Sequence, residues 1–226
     1  MIVQIYAATS VADALRMVEL GVDQVGFVAG DYGQVHGELA FVEARSIAEA
    51  LKGKATSSAL TMSTDLTEIL RMAGVVQPDI IHISSDTKAI SIEAMHGLRR
   101  SLPDSVVLMK AIHVEGPESV EVALEFAVVA EIILLDTQVE GMPGVGATGV
   151  THDWNISRQI VTRIGDQAKV ILAGGLNSQN VGAAISTVRP WGVDSNTGTN
   201  LPGDPVVKDW NRVGEFVKQA KMKRGT

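Results

Sequence analysis

The sequence predicts an α/β protein that folds as one (β/α)8 (TIM) barrel, with a single domain over residues 1–226. Short β-branched runs alternate with amphipathic helical stretches along the whole chain, which indicates parallel strands joined by helices. Eight such units in 226 residues average about 28 residues each, the size of one strand–helix step. Hydrophobic residues make up 46% of the chain but aromatic residues only 4%, which is typical of an aliphatic parallel sheet buried on both faces.

An open, doubly wound sheet is the alternative arrangement of the same elements. Such a fold usually has its Gly-rich turn directly after the first strand. Residues 6–10 instead read Tyr-Ala-Ala-Thr-Ser, and no Pro/Ser-rich linker divides the chain. We therefore expect a closed barrel with its functional side chains at the C-terminal ends of the strands.

The first half of the chain predicts four strand–helix units. Helix 1 follows a cap at Thr9 or Ser10, carries apolar residues at helical spacing and stops at Gly21. Helix 3 begins at a Ser63/Thr64 cap and runs to Val76. The predicted strands are residues 2–7, 24–29, 55–62 and 79–84, and helices 2 and 4 are residues 40–51 and 90–100.

The second half predicts four more units. Helix 5 starts near Pro117, a residue that suits the first turn of a helix. The Gly-rich loop 141–149 is interpreted as a mobile lid over the site, with a plain connection as the alternative. The predicted strands are residues 106–112, 131–136, 170–173 and 192–194, and helices 6 to 8 are residues 155–164, 178–188 and 206–221.

Two glycine-containing loops follow the last two predicted strands. Gly174 and Gly175 end the seventh strand, and Thr197 and Gly198 follow the eighth. Small residues allow close backbone approach, and free N–H groups at such turns bind oxyanions. Two successive loops of this kind match the phosphate site after strands 7 and 8 of a (β/α)8 barrel. Ordinary helix caps and turns are the alternative explanation.

Composition argues against several classes of function. The net charge is −7, and basic residues cluster only at the 221–224 tail, which argues against nucleic-acid binding. The chain has no cysteine, so it has no disulfide, thiolate metal site or thiol nucleophile. The first residues read as a strand rather than a signal peptide, and no apolar run reaches membrane-spanning length. We therefore expect a cytoplasmic protein without a membrane partner.

Five segments together form a recognisable pattern. They are Asp13-Ala14-Leu15 with Val18 to Val28, Ile133-Leu134-Leu135-Asp136-Thr137, Gly146-Ala147-Thr148-Gly149 with Asp153-Trp154, Leu172 to Asn180, and Val188 to Asp194 with Gly198. In these segments the chain resembles the phosphoribosylanthranilate isomerase family of tryptophan biosynthesis. The resemblance implies a (β/α)8 barrel, monomeric or homodimeric, that opens an aminoaldose phosphate to an aminoketose phosphate. That chemistry needs an acid and a base but no metal or redox cofactor.

The chain departs from the family at the catalytic base and at the residue that binds the anthranilate carboxylate. The family's acid ends strand 6 and matches Asp136, but its base is a cysteine in a Lys-Ile-Cys-Gly motif that here reads Gln4-Ile5-Tyr6-Ala7. The family's arginine after strand 2, which holds the anthranilate carboxylate, has no counterpart, because residues 30–44 contain neither Arg nor Lys. Strand 4 ends in His82-Ile83-Ser84-Ser85 where Gln-Leu-His-Gly is usual. Retained phosphate loops with a lost base suggest a changed substrate or reaction.

Four further residues are candidates near the site. His82 and His113 end predicted strands, and either could replace the missing base because histidine titrates near neutrality. A histidine satisfied by structural hydrogen bonds is the alternative for each. Tyr6 could act as an acid or hydrogen-bond donor, or could simply fill the space of the lost cysteine and glycine. Lys110 lies in an apolar strand, so it must point into a polar barrel mouth or form an ion pair, for which Asp136 is the candidate partner.

We assign substrate contacts to Lys110 and Asp194, and we expect His36 and His152 to be solvated loop residues. No HxH or HxxxH spacing supports a metal site. Three functions stay open. The first is a divergent aldose–ketose isomerase, or a related proton-transfer enzyme, acting on a small phosphorylated sugar or sugar derivative. The second is phosphoribosylanthranilate isomerisation with a substitute base, and the third is a non-catalytic binder of a phosphate ligand.

Overall fold

Eight parallel strands close into a barrel, as the sequence predicts. The structure is a computed structural model that describes residues 1–137 and 151–222. The predicted lid, residues 141–149, lies outside the described residues. The barrel closes because β1 pairs with both β2 and β9, while the two-residue β3 adds to β2 alone. The strands are β1 Ile2–Ile5, β2 Gln24–Ala29, β3 Glu38–Leu39, β4 Thr56–Thr61, β5 Ile80–Ile83, β6 Val107–His113, β7 Ile132–Asp136, β8 Lys169–Leu172 and β9 Gly192–Ser195.

Eight α-helices and one short 3-10 helix surround the described barrel. They are α1 Val11–Glu19, α2 Phe41–Leu51, α3 Leu66–Val76, α4 Ile92–Ser101, α5 Ser119–Ala127, α6 Trp154–Ile164, α7 Val181–Val188, the 3-10 helix Thr197–Thr199, and α8 Trp210–Lys221. Ser10 caps α1 and Gly21 follows it with φ +89°, as expected. None of the helices in the described ranges is long and apolar enough to cross a bilayer. A single domain over 1–226 stays a prediction.

Two helices begin three or more residues later than the sequence pattern predicts. The prediction that helix 7 starts at 178 is wrong because Asn177 to Asn180 form a turn, in which the Asn177 side chain accepts from the N–H of Gln179 and Asn180. Helix 8 starts at Trp210 rather than 206, because Asp209 caps it. Both differences lengthen the loops at the carboxyl ends of β8 and β9.

Alternation along the strands separates two layers of core. In β6, Met109 and Ala111 point into the barrel, whereas Leu108 and Ile112 pack against the helices. The same period of two places His113 on the interior side and Lys110 on the helix side. Strand pairing also decides which polar residues are neighbours at this end of the barrel. Gln4 of β1 lies beside Asp194 of β9, and His113 of β6 lies beside Asp136 of β7.

Candidate active site

A cavity of about 570 Å³ opens at the carboxyl ends of the strands. Its apolar wall is formed by Val28, Leu60, Met62 and Leu134, and its polar wall includes Tyr6, His82, Asp136, Asp194, Asn196 and Thr197. One side is closed by the loop residues Gly33 to His36. This is the end at which (β/α)8 barrels carry their catalytic groups.

Asp136 ends β7 and lines the cavity from inside the barrel. Its side chain is buried, and one carboxylate oxygen accepts a hydrogen bond from the Thr137 N–H at 2.7 Å. Burial disfavours the charged carboxylate and raises the pKa of Asp136 to about 8, and the nearby negative charge of Asp194 adds to the rise. The group therefore holds a proton at neutral pH and can donate it.

Asp194, within β9, is the second buried carboxyl group of the cavity. Its Oδ1 accepts a hydrogen bond from Nε2 of Gln4 at 3.1 Å. Burial raises the pKa of Asp194 to about 7, while the Gln4 bond and the positive charge of Lys208 oppose the rise. At neutral pH this carboxyl group exists in both protonation states, unlike an exposed aspartate.

Tyr6 and His82 bond to each other instead of standing free. The Tyr6 hydroxyl lies 2.8 Å from Oγ of Ser58 and 2.9 Å from Nδ1 of His82, and the two rings meet edge to face. Burial raises the pKa of Tyr6 well above its ordinary value. Burial, with the charge of Lys110, lowers the pKa of His82 to about 3. At pH 7 the Tyr6 hydroxyl keeps its proton and the neutral imidazole of His82 is only weakly basic, so both are weak candidates for the missing base.

Nε2 of His82 has no hydrogen-bond partner among the described residues, although the side chain is almost wholly buried and borders the cavity. In the tautomer in which Nδ1 accepts from the Tyr6 hydroxyl, Nε2 carries the proton and can donate to a bound ligand.

The interpretation of Lys110 as a residue of the barrel mouth is wrong. Lys110 lies on the helix side of β6, 5.6 Å from the ring centre of Phe126, because its neighbours Met109 and Ala111 take the interior positions. Its ammonium group donates to the carbonyls of Ser85 at 2.6 Å and Ala111 at 2.8 Å. Main-chain carbonyls, rather than Asp136, satisfy this buried cation, so it makes no contact with the cavity.

His113 is on the interior side of β6, but its Nδ1 lies 3.5 Å from a carboxylate oxygen of Glu115, and the residue does not line the cavity. The expectation that His152 is solvated is wrong, because its ring bridges Oγ1 of Thr137 at 3.1 Å and Oγ of Ser157 at 2.6 Å. Burial lowers the pKa of His152 to about 4. His36 is exposed, as predicted, and it borders the cavity.

The two glycine loops lie side by side beyond β8 and β9. Gly174 and Gly175 adopt φ of +81° and +61°, which glycine tolerates without strain. A side chain at Gly198 would overlap the Leu176 carbonyl oxygen and lie 2.9 Å from Oγ of Ser195. Within residues 1–137 and 151–222, no acceptor takes the N–H of Gly174, Gly175, Thr197 or Gly198. Thr197 lines the cavity itself, and unpaired main-chain N–H groups of this kind are donors that suit an oxyanion.

Sequence reasoning missed Lys208, a buried cation beside the second loop. Its ammonium group donates to Oδ1 of Asn196 at 3.0 Å and also contacts Oδ1 of Asn200. Burial lowers the pKa of Lys208 to about 7, and Asp194 counteracts that fall. No spacing rule marks this lysine, since only the folded loop brings it to Asn196. Across the described ranges, no three His, Asp or Glu side chains group closely enough to hold a metal ion.

A closed barrel with a cavity of one apolar and one polar wall at the carboxyl ends of its strands defines the class: a (β/α)8-barrel protein of the kind that carries small-molecule sites on its C-terminal face. Residues 3–219 match the family model "N-(5'phosphoribosyl)anthranilate (PRA) isomerase". The chain belongs to this family, which confirms the resemblance found in the sequence.

Individual relatives support the assignment along nearly the whole chain. A protein of Methanosarcina mazei named N-(5'-phosphoribosyl)anthranilate isomerase 2 is 31% identical over 93% of this chain and 90% of its own length. The isomerase of Pseudomonas fluorescens is also 31% identical, over 96% of this chain and 97% of its own. Among solved structures, phosphoribosyl anthranilate isomerase from Thermotoga maritima superposes with a TM-score of 0.79 at 29% identity, covering 98% of this chain and 99% of its own.

Proposed function

We propose that this chain isomerises N-(5'-phosphoribosyl)anthranilate, the reaction for which its relatives are named, as a step of tryptophan biosynthesis. Family membership over residues 3–219 favours this substrate over an unrelated sugar phosphate. A related isomerase was crystallised with reduced 1-(o-carboxyphenylamino)-1-deoxyribulose 5-phosphate, a ligand with a phosphate at one end and a carboxyphenyl group at the other. This chain offers main-chain N–H groups for the phosphate end and an apolar wall for the aromatic ring.

The observation that carries the proposal is the carboxyl group of Asp136, which is buried at the end of β7 and faces the cavity. Opening the ribose ring requires a proton on the ring oxygen, because the bond from that oxygen to C1 then breaks with an alcohol as leaving group. A carboxyl group with a pKa of about 8 holds that proton at neutral pH and faces the cavity. Asp136 is therefore the general acid of the proposed reaction.

The phosphate end of the substrate fits the glycine loops. Gly174, Gly175 and Gly198 present main-chain N–H groups without side chains in the way, and Thr197 lines the cavity. Main-chain donors of this kind bind phosphate even in a protein whose net charge is −7. The aromatic end then lies against the apolar wall of Val28, Leu60 and Met62.

The decisive experiment measures turnover of N-(5'-phosphoribosyl)anthranilate by the purified protein, together with growth of a tryptophan auxotroph that lacks its own isomerase. We expect turnover and rescue. Asp136→Asn, which keeps the shape but removes the acid, should lower kcat by about 100-fold or more, because general acid catalysis contributes 10²–10⁴-fold. A folded protein that shows neither turnover nor rescue would refute the proposal.

One observation favours a second substrate, a phosphorylated aminoaldose without an acidic ring. The described residues that line the cavity include no Lys or Arg, and residues 138–150 contain neither in their sequence. An anthranilate carboxylate would thus meet only neutral donors and His36. The discriminating comparison is kcat/KM for N-(5'-phosphoribosyl)aniline against the anthranilate compound. A preference of more than tenfold for the aniline compound would favour the second substrate, whereas phosphate binding without turnover of either compound would identify a silent binder.

A further inference from the structure

The two carboxyl groups of the cavity stand in different local environments. Asp136 accepts a bond from the N–H of the next residue, whereas Asp194 is held by a side-chain amide on the neighbouring strand. Gln4, which supplies that amide, is wholly buried and is aligned with Asp194 by the β1–β9 pairing. The Asp194 carboxylate is therefore fixed in place by a donor that stabilises its ionised form.

Charged and titratable groups reach Asp194 from three sides. Lys208 lies on the loop before α8, and its positive charge lowers the pKa of Asp194. The negative charge of Asp194 in turn raises the pKa of Lys208. Asp136 on β7 is a like charge when ionised, and Tyr6 after β1 is made harder to ionise by Asp194. The Gln4 amide and the Lys208 charge favour the ionised form of Asp194, whereas burial and the charge of Asp194 favour the protonated form of Asp136. Two carboxyl groups with separated pKa values are a common basis for assigning an acid and a base.

Other candidate bases in the cavity are already committed. The hydroxyl of Tyr6 is bonded to Ser58 and to Nδ1 of His82, and burial lowers the pKa of His82 to about 3, which makes its imidazole a weak base. His113 lies beside Glu115, outside the cavity lining. Among the described residues that line the cavity, Asp194 is the remaining candidate proton acceptor, and its side chain is shielded from bulk solvent.

We propose that Asp194 is the general base that removes the proton from C2 of the substrate, a role that rests on the proposed isomerisation. Asp136 donates a proton to the ring oxygen, the bond from that oxygen to C1 breaks, and the nitrogen lone pair forms a protonated imine at C1 that keeps its N–H. Asp194 takes the C2 proton, the electron pair of that C–H bond forms the C1=C2 bond of an enolamine, and the C=N electron pair returns to the nitrogen. The enol O–H then loses its proton while C1 gains one, which gives the ketone. Two protons are gained and two are lost, so no co-reactant is needed.

The test compares Asp194→Asn with the wild type across pH. We expect kcat/KM to fall by about 100-fold or more at the wild-type optimum and not to recover at pH 6, with the acidic limb of the wild-type profile lost and the basic limb from Asp136 moved to lower pH. Asp23→Asn is the matched control, because Asp23 bonds the N–H of Val3 and pairs with Lys221 at the opposite end of the barrel. It should stay within about twofold of wild type.

A purely electrostatic role gives a different result. If Asp194 only keeps Asp136 protonated, its replacement lowers the pKa of Asp136, and activity returns at pH 6, where Asp136 regains its proton. Recovery to within tenfold of the wild-type optimum would overturn the proposal. So would kcat/KM within threefold of wild type at all pH values. An inactive wild type would instead reject the isomerisation itself, and the base assignment with it.

Gln4→Leu gives a second route if Asp194→Asn does not fold. Removing the amide takes away a bond that lowers the pKa of Asp194, so the acidic limb of kcat/KM should move to higher pH while the basic limb stays in place. An acidic limb that does not move in a folded Gln4→Leu protein would also overturn the assignment.

Discussion

Replacing Gly26 with alanine adds a methyl group against the buried ring of Tyr6. A Cβ built on Gly26 meets three ring carbons of Tyr6, of which Cδ1 lies 2.5 Å away. The ring has no room to move aside, because its hydroxyl is bonded to Ser58 and His82 and the residue is 5% exposed. Overpacking of this kind costs about 1–3 kcal/mol. The gain of about 0.5–1 kcal/mol from replacing a strand glycine offsets part of it, so we expect a net loss of about 1–2 kcal/mol.

Urea unfolding measures this loss as a change in the free energy of unfolding. Gly74→Ala is the matched control, because Gly74 lies within α3 and a Cβ there has no neighbour within 4 Å. That variant should be more stable than wild type by about 0.5–1 kcal/mol, the helix propensity difference between the two residues. The same Gly→Ala substitution is thus expected to lower the free energy of unfolding at position 26 and to raise it at position 74.

A Gly26→Ala protein that is as stable as wild type would refute the reasoning. The double-mutant cycle with Tyr6→Ala identifies the cause. With the ring removed, Gly26→Ala should no longer cost stability, which gives a coupling energy of about 1–3 kcal/mol between the two positions. Additive effects would show that the Tyr6 ring is not what the methyl group meets.

The remaining predictions concern buried polar groups. Because folding raises the pKa of Asp136 to about 8 from an unfolded value near 4, its stabilising contribution is present at low pH and is lost as the pH rises toward 8. Asp136→Asn should therefore gain stability relative to wild type between pH 5 and 8.5 in urea unfolding, and a constant difference would contradict this. Tyr6→Phe leaves Ser58 and His82 without a partner and should cost about 1–3 kcal/mol in the same assay. Its kcat should fall less than about tenfold, and a fall as large as that of Asp136→Asn would make Tyr6 catalytic. Lys110→Met should leave KM within about twofold, because the ammonium group faces the helices, and a larger rise would place it in the substrate site.

Strand and helix positions were largely predictable because they follow from local periodicity. The bounds of β2, residues 24–29, agree fully, and most other elements differ by one to three residues at an end. Larger differences occur where side chains bond to nearby backbone, as at Asn177 and Asp209. The short strand β3 was not predicted, since two residues carry no periodic signal. Its Glu38 accepts four main-chain N–H groups of the preceding loop, a role that needs the folded turn.

The sequence by itself determined the barrel, the family and the positions of the glycine loops and Asp136, because alternation, chain order and small-residue turns are written along the chain. Only the tertiary structure decided which polar groups work together. In the folded chain Lys110 faces the helices, and the Tyr6 hydroxyl is hydrogen-bonded to His82. Gln4 donates a hydrogen bond to Asp194, and the charge of Lys208 acts on the same carboxyl group. The physical reason is that side-chain direction and pKa depend on strand register, burial and neighbours from distant parts of the chain, and these exist only once the barrel has closed.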